Sequence, residues 1–529
     1  MSPSVILSGL AWSLPDGRPL FTDLTLGFEA ERTGLVGRNG VGKSTLLALI
    51  AGRLRPHAGS VAIHGRLAVL RQLVQVADGE TIADLFGARA ALTVLRRAER
   101  GDAGIDELTG ADWTLESRMA SALARTGLAA EPDTKLARLS GGQRTRASLA
   151  ALLFAEPDFV LLDEPTNNLD RDGRRAVLDL LAGWQAGALV ASHDRELLET
   201  VDAIVELGPL GAMRHGGNWS VYRERRDLAL AAARHDLETA ERRVAAIEER
   251  AQATAERQAR RAGAGRRQAA RGGTPRILQG ARRDRSEGTS GGQARLADRR
   301  RSQALADATD ARARIEVLQP IAVTLAATGL PSGHTVLEFE GVSFAHTGGP
   351  PIIDGLSLSI TGAERVAATG PNGSGKSTLL ALAAGRLDPT AGSIRRVADV
   401  ALLDQTMSLL DPAASILDNF RRLHPGSDEN ACRAALARLM FRADAALQAA
   451  GSLSGGQQVR AALACVLGGG RPPSLLMLDE PTNHLDLDAL EAVEAGLRAY
   501  DGALLVVSHD EAFLEGIGIT RRVAPTAAA

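Results

Sequence analysis

The chain has 529 residues, 45% of them apolar, which is enough for three or four domains with cores of their own. A formal charge of −2, from 61 basic and 63 acidic residues, excludes binding to nucleic acid or membrane by bulk charge. Two cysteines without CxxC spacing, Cys432 and Cys465, exclude a cysteine-ligated zinc or iron–sulfur centre and read as small core side chains in a reducing compartment.

Residues 5–12 (VILSGLAW) are apolar, but no Lys or Arg precedes Arg18 and no small-residue cleavage site follows. They read as a first β-strand rather than a secretory leader. No apolar run reaches the ~18–20 residues that span a bilayer, so no membrane domain and a cytoplasmic location are expected.

Next comes an apolar strand, Gly34–Val36, then Gly37-Arg38-Asn39-Gly40-Val41-Gly42-Lys43-Ser44-Thr45, then a helix pattern from Leu46. Glycines at that spacing let the backbone wrap phosphate groups while the N–H groups of the helix start point at them. Lys43 brings charge against the terminal phosphates and Ser44 is a Mg²⁺ ligand. The chain has only three lysines, Lys43, Lys135 and Lys376, so two of its three flexible ammonium groups stand in loops of this type.

A stretch around residues 87–115 alternates charged and apolar residues in helix-like fashion, and reads either as a longer surface loop or as a small functional arm. Leu139-Ser140-Gly141-Gly142-Gln143 follows. The apolar run Phe159–Leu162 has the composition of a parallel strand buried on both faces, and it ends in Asp163-Glu164-Pro165-Thr166-Asn167-x-Leu169-Asp170. Carboxylates directly after such a strand lie at the sheet edge where ligands bind. Asp163 is assigned to the Mg²⁺ shell. Glu164 orients or deprotonates the attacking water, a role contributing about 10²–10⁴-fold in rate. The alternative is that these carboxylates only cap a helix. His193, after the run Ala188–Ala191, reaches the same edge to sense a γ-phosphate. Ser192-His193-Asp194 is no hydrolase triad, because consecutive strand residues point to opposite faces.

Residues 223–320 differ in character. Leu230, Leu237, Val244 and Ala251, with Ala233, Ala240 and Ile247 between them, form a seven-residue repeat with a narrow apolar seam. A Gly/Arg-rich stretch, 263–292, and a second helical segment from about Ala294 to Leu318 complete a predicted helical hairpin. This region carries 23 arginines against 14 acidic residues, and 260–301 alone carries 13 against three. The excess fits contact with a phosphate backbone, and equally a solvated spacer.

The motifs then recur in the same order: Gly370, Asn372, Gly373, Gly375, Lys376, Ser377 and Thr378 in the phosphate loop, then Ser454, Gly455, Gly456 and Gln457, then Asp479 and Glu480, then His509. Lys43 precedes Gln72 by the same distance as Lys376 precedes Gln405, and Glu164 precedes His193 as Glu480 precedes His509. This is a duplicated domain. The first half holds about nineteen extra residues ahead of its Ser-Gly-Gly-Gln segment, placed near 87–115. Glu480, Asp479 and His509 take the roles of Glu164, Asp163 and His193.

This ordered set resembles the ATP-binding-cassette superfamily over both halves, and most of all its ABC-F branch. That branch carries two cassettes in one chain, the Glu-Pro-Thr-Asn-x-Leu-Asp variant seen at Glu164–Asp170 and Glu480–Asp486, and a helical linker of this length. The resemblance implies an α/β fold of two P-loop cassettes, 1–221 and 321–529, each a mixed sheet with a helical subdomain, joined by a basic helical linker at 222–320. It implies Mg-ATP hydrolysis at two head-to-tail sites within one monomer. Ser454, Gly455, Gly456 and Gln457 would cap the ATP on Lys43, and Ser140, Gly141, Gly142 and Gln143 the ATP on Lys376. Gln72 and Gln405 would join the Mg²⁺ shells. It further implies a ribosomal partner, rRNA and P-site tRNA, reached through 260–301, with no DNA involved. The sequence departs from the family where an aromatic usually stacks on adenine: His346 and Leu14 stand there, with Phe344 and Trp12 nearby. It also ends twenty residues after His509, without the long basic coiled-coil tail of some members. A tandem ATPase subunit of a small-molecule importer is the alternative, and it predicts a short neutral linker.

Overall fold

The computed structural model describes residues 3–525 except 71–75, 168, 209–210, 270–297, 313–324, 347, 398, 440, 442 and 484. The chain forms two compact units, Met1–Ser220 with Pro320–Ala529, and Val221–Gln319.

In the first unit each half repeats one plan. A three-stranded antiparallel sheet comes first, Pro19–Phe28 beside Ser4–Ser13 beside Ala58–His64, matched by Pro351–Thr361, Thr335–Ala345 and Ala391–Arg396. A largely parallel sheet follows. In the first half its order is Leu67–Val69, Phe159–Asp163, Gly187–Ala191, Arg32–Gly37, Ala203–Gly208 and Gly211–Gly216, with only the last strand antiparallel. In the second half it is Val400–Leu403, Leu475–Asp479, Ala503–Val507, Arg365–Ala368 and Arg521–Val523, all parallel. The apolar runs at Phe159–Leu162, Gly187–Ala191, Leu475–Leu478 and Ala503–Val507 are buried throughout, as strands covered on both faces must be.

The two sheets of the first half pack on the helix Lys43–Ile50 through Val5, Leu7, Leu35, Leu46, Phe159, Leu161 and Leu189. Burying each such aliphatic side chain contributes about 1.5–3 kcal/mol. This packing fixes the phosphate loop between the end of Arg32–Gly37 and that helix. The second half does the same with Lys376–Ala383.

The extra residues of the first half are helical. Thr81 bridges Lys135 just as Ser415 bridges Ala449. Between these bridges the first half has the helices Arg89–Glu99 and Ile105–Thr109 ahead of Leu115–Arg125, whereas the second passes from Ile416–Leu423 to Glu429–Arg438. Leu92 and Leu95 seal the longer helix onto Met119 and Leu123.

The second unit is a helical hairpin. Its long helix continues from Trp219 to Ala269, and residues 298–312 form a second helix. Arg301 pairs with Glu248 at 2.9 Å and Arg312 with Glu241 at 2.7 Å, so the helices run antiparallel. Leu230, Ala233 and Ala240 are buried, as are Ala304, Ala308 and Ala311 opposite. Leu237, Val244 and Ile247 are half-buried, but Ala251, the next member of the repeat, is exposed: the seam stops a turn earlier than its spacing predicts. The Gly/Arg-rich stretch from 270 onward lies outside the described residues.

Candidate functional site

Each phosphate loop is held open by backbone that only glycine adopts freely. Gly42 and Gly375, at the starts of the two helices, have φ of 107° and 89°. A Cβ on Gly42 would lie 2.6 Å from the Phe21 ring, and one on Gly375 would lie 2.8 Å from Ile352 Cγ2. Loop curvature and packing on the antiparallel sheet therefore demand the same residue. The ammonium groups fold back over their own loops: Lys43 Nζ donates to the Gly37 carbonyl at 2.7 Å, and Lys376 Nζ to the Gly370 and Pro371 carbonyls, each at 2.9 Å. Burial lowers both lysine pKa values, while Glu164, Asp486 and Asp163 oppose the shift at Lys43, and Glu480, Asp479 and Asp170 oppose it at Lys376.

The carboxylates stand at the predicted sheet edge. Glu164 and Glu480 adopt left-handed backbone, φ 43° and 48°, a strained state for a residue with a Cβ. Each is held there by its N–H, which donates to the end of the neighbouring strand, Glu164 to the Ala191 carbonyl at 2.8 Å and Glu480 to the Val507 carbonyl at 2.9 Å. The turn brings Glu164 Oε1 to 3.3 Å from His193 Nε2 and Glu480 Oε1 to 3.5 Å from His509 Nε2. Burial pushes Glu164 up to about 8 and Glu480 up to about 7, and pulls His193 down to about 3 and His509 below its usual range. Burial thus favours the neutral form of both imidazoles and of both carboxyl groups, the kind of perturbation that marks a working site.

In the second half the three residues expected to hold the metal come together. Asp479 accepts hydrogen bonds from the Ser377 and Gln405 side chains, while its Oδ1 is buried and has no hydrogen-bond partner among the described residues. A carboxylate, a hydroxyl and an amide oxygen suit a hard cation that takes its remaining ligands from phosphate and water, as Mg²⁺ does. In the first half, Asp163 and Ser44 occupy the corresponding places, and Gln72 lies outside the described residues.

The Ser-Gly-Gly-Gln segments begin the helices Gly141–Phe154 and Gly455–Leu467 as capping boxes. Ser140 N–H donates to Gln143 Oε1 at 2.9 Å, and Ser454 N–H to Gln457 Oε1 at 2.9 Å. The glutamine side chains thus serve the cap, and each serine hydroxyl accepts the glutamine N–H in return, at 3.3 Å for Ser140 and 3.4 Å for Ser454.

One cavity of about 780 Å³ runs across the junction of the halves. It brings Asn39 and Gly40 of the first loop together with Ser454 and Gly455 of the second half. It also brings Asn372, Gly373, Gly375, Lys376, Ser377 and Thr378 together with Asn167 and Leu169 of the first. Glu164, His193, Glu480, His509 and Gln405 face it as well. Ser140 to Gln143 are not in its lining, but Gly142 abuts Asp170, the aspartate whose charge acts on Lys376.

Several bonds across the junction are invisible to the motifs. The Asn39 N–H donates to Asp486 Oδ2 at 2.9 Å, and Arg38 pairs with Asp488 at 3.0 Å. Arg195 pairs with Glu494 at 2.8 Å, both buried, and Arg174 Nη1 donates to the His509 carbonyl at 2.7 Å. Asp486 is at least marked as the last letter of Asn-x-Leu-Asp; the arginines carry no sequence signal. Near the two loops, Trp12 stacks on His57 with ring centroids 6.0 Å apart and Phe344 meets His346 edge-on at 5.2 Å.

The family model described as ABC transporter matches residues 22–167 and 353–483. The tylosin resistance ATP-binding protein TlrC of Streptomyces fradiae is 32% identical, over 94% of this chain and 92% of that protein. The ATP-binding protein Uup of Caulobacter vibrioides is 33% identical over 95% and 74%. ABC transporter F family member 3 of Arabidopsis thaliana is 30% identical over 94% and 70%. Among solved structures, the archaeal ribosome recycling factor aABCE1, in complex with the ribosomal stalk protein aP1, superposes with a TM-score of 0.56 at 18% identity, covering 96% of this chain and 86% of that one. That likeness concerns the fold.

Proposed function

Because the chain belongs to the ABC-F family of tandem ATP-binding-cassette ATPases, we propose that it works in the cytoplasm on the ribosome, engaging rRNA and P-site tRNA through residues 260–301. On this reading, closure of the cassettes on ATP modulates translation or protects it from an antibiotic. The chain is an ATPase whose cassettes bind ATP, and no helix among the described residues is long and apolar enough to cross a membrane. The observation that carries the reading is the cavity in which each half's phosphate loop meets residues of the other half. A site completed only when the halves meet couples nucleotide to their closure.

We assign one ATP to Lys43, capped by Ser454 to Gln457, and one to Lys376, capped by Ser140 to Gln143, with domain limits at 221/222 and 320/321. The loop N–H groups of Asn39, Gly40 and Gly42, and of Asn372, Gly373 and Gly375, cradle phosphate oxygens. Lys43 and Lys376 exchange their loop carbonyls for the terminal phosphates, and Ser44, Thr45, Ser377 and Thr378 complete the helix starts. Ser44, Gln72 and Asp163 would hold Mg²⁺ in one site, and Ser377, Gln405 and Asp479 in the other. When bound, the ion supplies positive charge against the β- and γ-phosphates. Glu164 and Glu480 orient water and accept its proton, while His193 and His509, neutral, donate to the γ-phosphate.

The basic linker supports the ribosomal partner, and the name of the Streptomyces relative suggests tylosin as the first drug to try. The double variant E164Q/E480Q, which closes without hydrolysing, is expected to sediment with ribosomes in Mg-ATP on a sucrose gradient and to slow translation. Sedimentation with free protein under those conditions overturns the ribosomal role.

A further inference from the structure

The two halves are not symmetric where they meet, and the asymmetry reaches one of the two histidines. Arg174, on the helix Arg171–Ala182 that follows Asp170, is nine-tenths buried and faces the shared cavity. Its Nη1 donates to the backbone carbonyl of His509 at 2.7 Å, and its Nη2 to Asp194 Oδ1 at 2.6 Å, with Glu196 Oε2 at 3.4 Å. Asp510, the residue after His509, brings its Oδ1 to 4.0 Å from the same guanidinium. Arg174 is therefore wedged between the His-Asp turns of both halves. By the alignment that matches Glu164 with Glu480 and His193 with His509, the residue equivalent to Arg174 is Leu490. A leucine has no donor, so it cannot hold the His193 carbonyl in return.

We propose that Arg174 is a positioning residue acting across the cassette junction: it fixes the backbone of His509, and so makes turnover at the Lys376 site depend on docking of the first cassette. The second half has Leu490 at the equivalent position, so no matching arm reaches the Lys43 site from there, and the two sites differ in the control of hydrolysis. The physical basis is the planar fork of the guanidinium, which bonds a carbonyl and a carboxylate at once and places both without freedom to rotate. His509 sits 3.5 Å from Glu480, so a small shift of its carbonyl moves the imidazole away from the carboxylate it accompanies. The guanidinium donates to the His509 carbonyl and to Asp194 rather than to the phosphate loop or Glu480, so across the junction its influence runs through His509, and within its own half it holds Asp194 beside His193.

This inference rests on the nucleotide assignments made above. The test uses the full-length protein with Mg-ATP, orthovanadate and a photoreactive ATP analogue, and mass spectrometry assigns the labelled peptides to either half. In the wild type both halves trap label. In Arg174→Leu, trapping at the Lys376 half is expected to fall about tenfold, the scale of one lost positioning hydrogen bond, and by more than at the Lys43 half, where the same arginine holds only Asp194 beside His193. Steady-state kcat should fall without a change in the KM for ATP. Arg174→Lys, which keeps the charge and a donor, should recover about half of the signal. Equal loss in both halves, or no loss in either, overturns the proposal, as does failure of the lysine variant to recover any signal while melting at the wild-type temperature. Absence of trapping in the wild type overturns the nucleotide assignments themselves, and the inference with them.

Discussion

The backbone N–H of Asn39 donates to Asp486 Oδ2 at 2.9 Å, joining the first phosphate loop to the start of a helix in the other half. The same carboxylate caps that helix, Leu487–Ala499, by accepting from the Ala489 N–H at 2.8 Å. One side chain thus performs a local and a long-range task through its two oxygens.

Asp486→Asn and Asp486→Ala should separate these tasks. Asparagine keeps a capping acceptor but loses the charge that draws the Asn39 amide. It should leave the melting temperature nearly unchanged and lower ATPase activity several-fold. Alanine removes the cap as well, which costs about 1 kcal/mol, so it should depress both. Thermal melts with parallel phosphate-release assays check this; equal activity in the asparagine variant and the wild type refutes the long-range task.

Arg195 and Glu494 form a buried ion pair across the junction. Truncating either partner strands a charge, at a cost of about 3–5 kcal/mol. Arg195→Met and Glu494→Leu should each lower thermal stability markedly, and the double variant should regain most of the loss. A double-mutant cycle showing additive effects would mean that the pair is not coupled in solution.

Cys432 and Cys465 are fully buried, and burial pushes the Cys465 thiol up to about 12 and raises that of Cys432. A thiolate is the reactive form. Native protein at mildly alkaline pH should therefore show almost no fast reaction with a thiol reagent, and both thiols should react only in denaturant. A fast equivalent in the native state would contradict the burial of one of them.

Replacing Arg282, Arg283 and Arg285 with glutamine should weaken ribosome binding and flatten its salt dependence by about two units in the log–log slope, roughly 0.7 for each phosphate no longer neutralised on single-stranded RNA. ATPase activity away from the ribosome should not change. A salt titration that overlays on the wild type would remove this stretch from the interface.

Lys43, Glu164 and His193, with their repeats, can be placed from sequence because each belongs to a short motif attached to an apolar strand. The strand carries the motif to the sheet edge whatever the rest of the chain does. The hairpin seam is readable for the same reason, up to Ile247, beyond which Ala251 is exposed. Arg174, Arg195 and the bond from Asn39 to Asp486 cannot be read. Their partners lie 335, 299 and 447 residues away and come together only once the halves dock. The left-handed backbone of Glu164 and Glu480 also leaves no trace in residue type, because glutamate is a poor choice for that conformation and is kept there for its carboxylate. Gln143 and Gln457 carry a further task that their motif does not announce: their side-chain oxygens close a helix cap.

The bridge from Thr81 to Lys135 has the same form as the bridge from Ser415 to Ala449, although twenty more residues lie within it. Extra length was added without disturbing the anchor points, so the frame that holds nucleotide is indifferent to what is grafted between them. The two halves of this chain thus tolerate the presence or absence of Arg89–Glu99 and its neighbour while keeping the same machinery at the sheet edge.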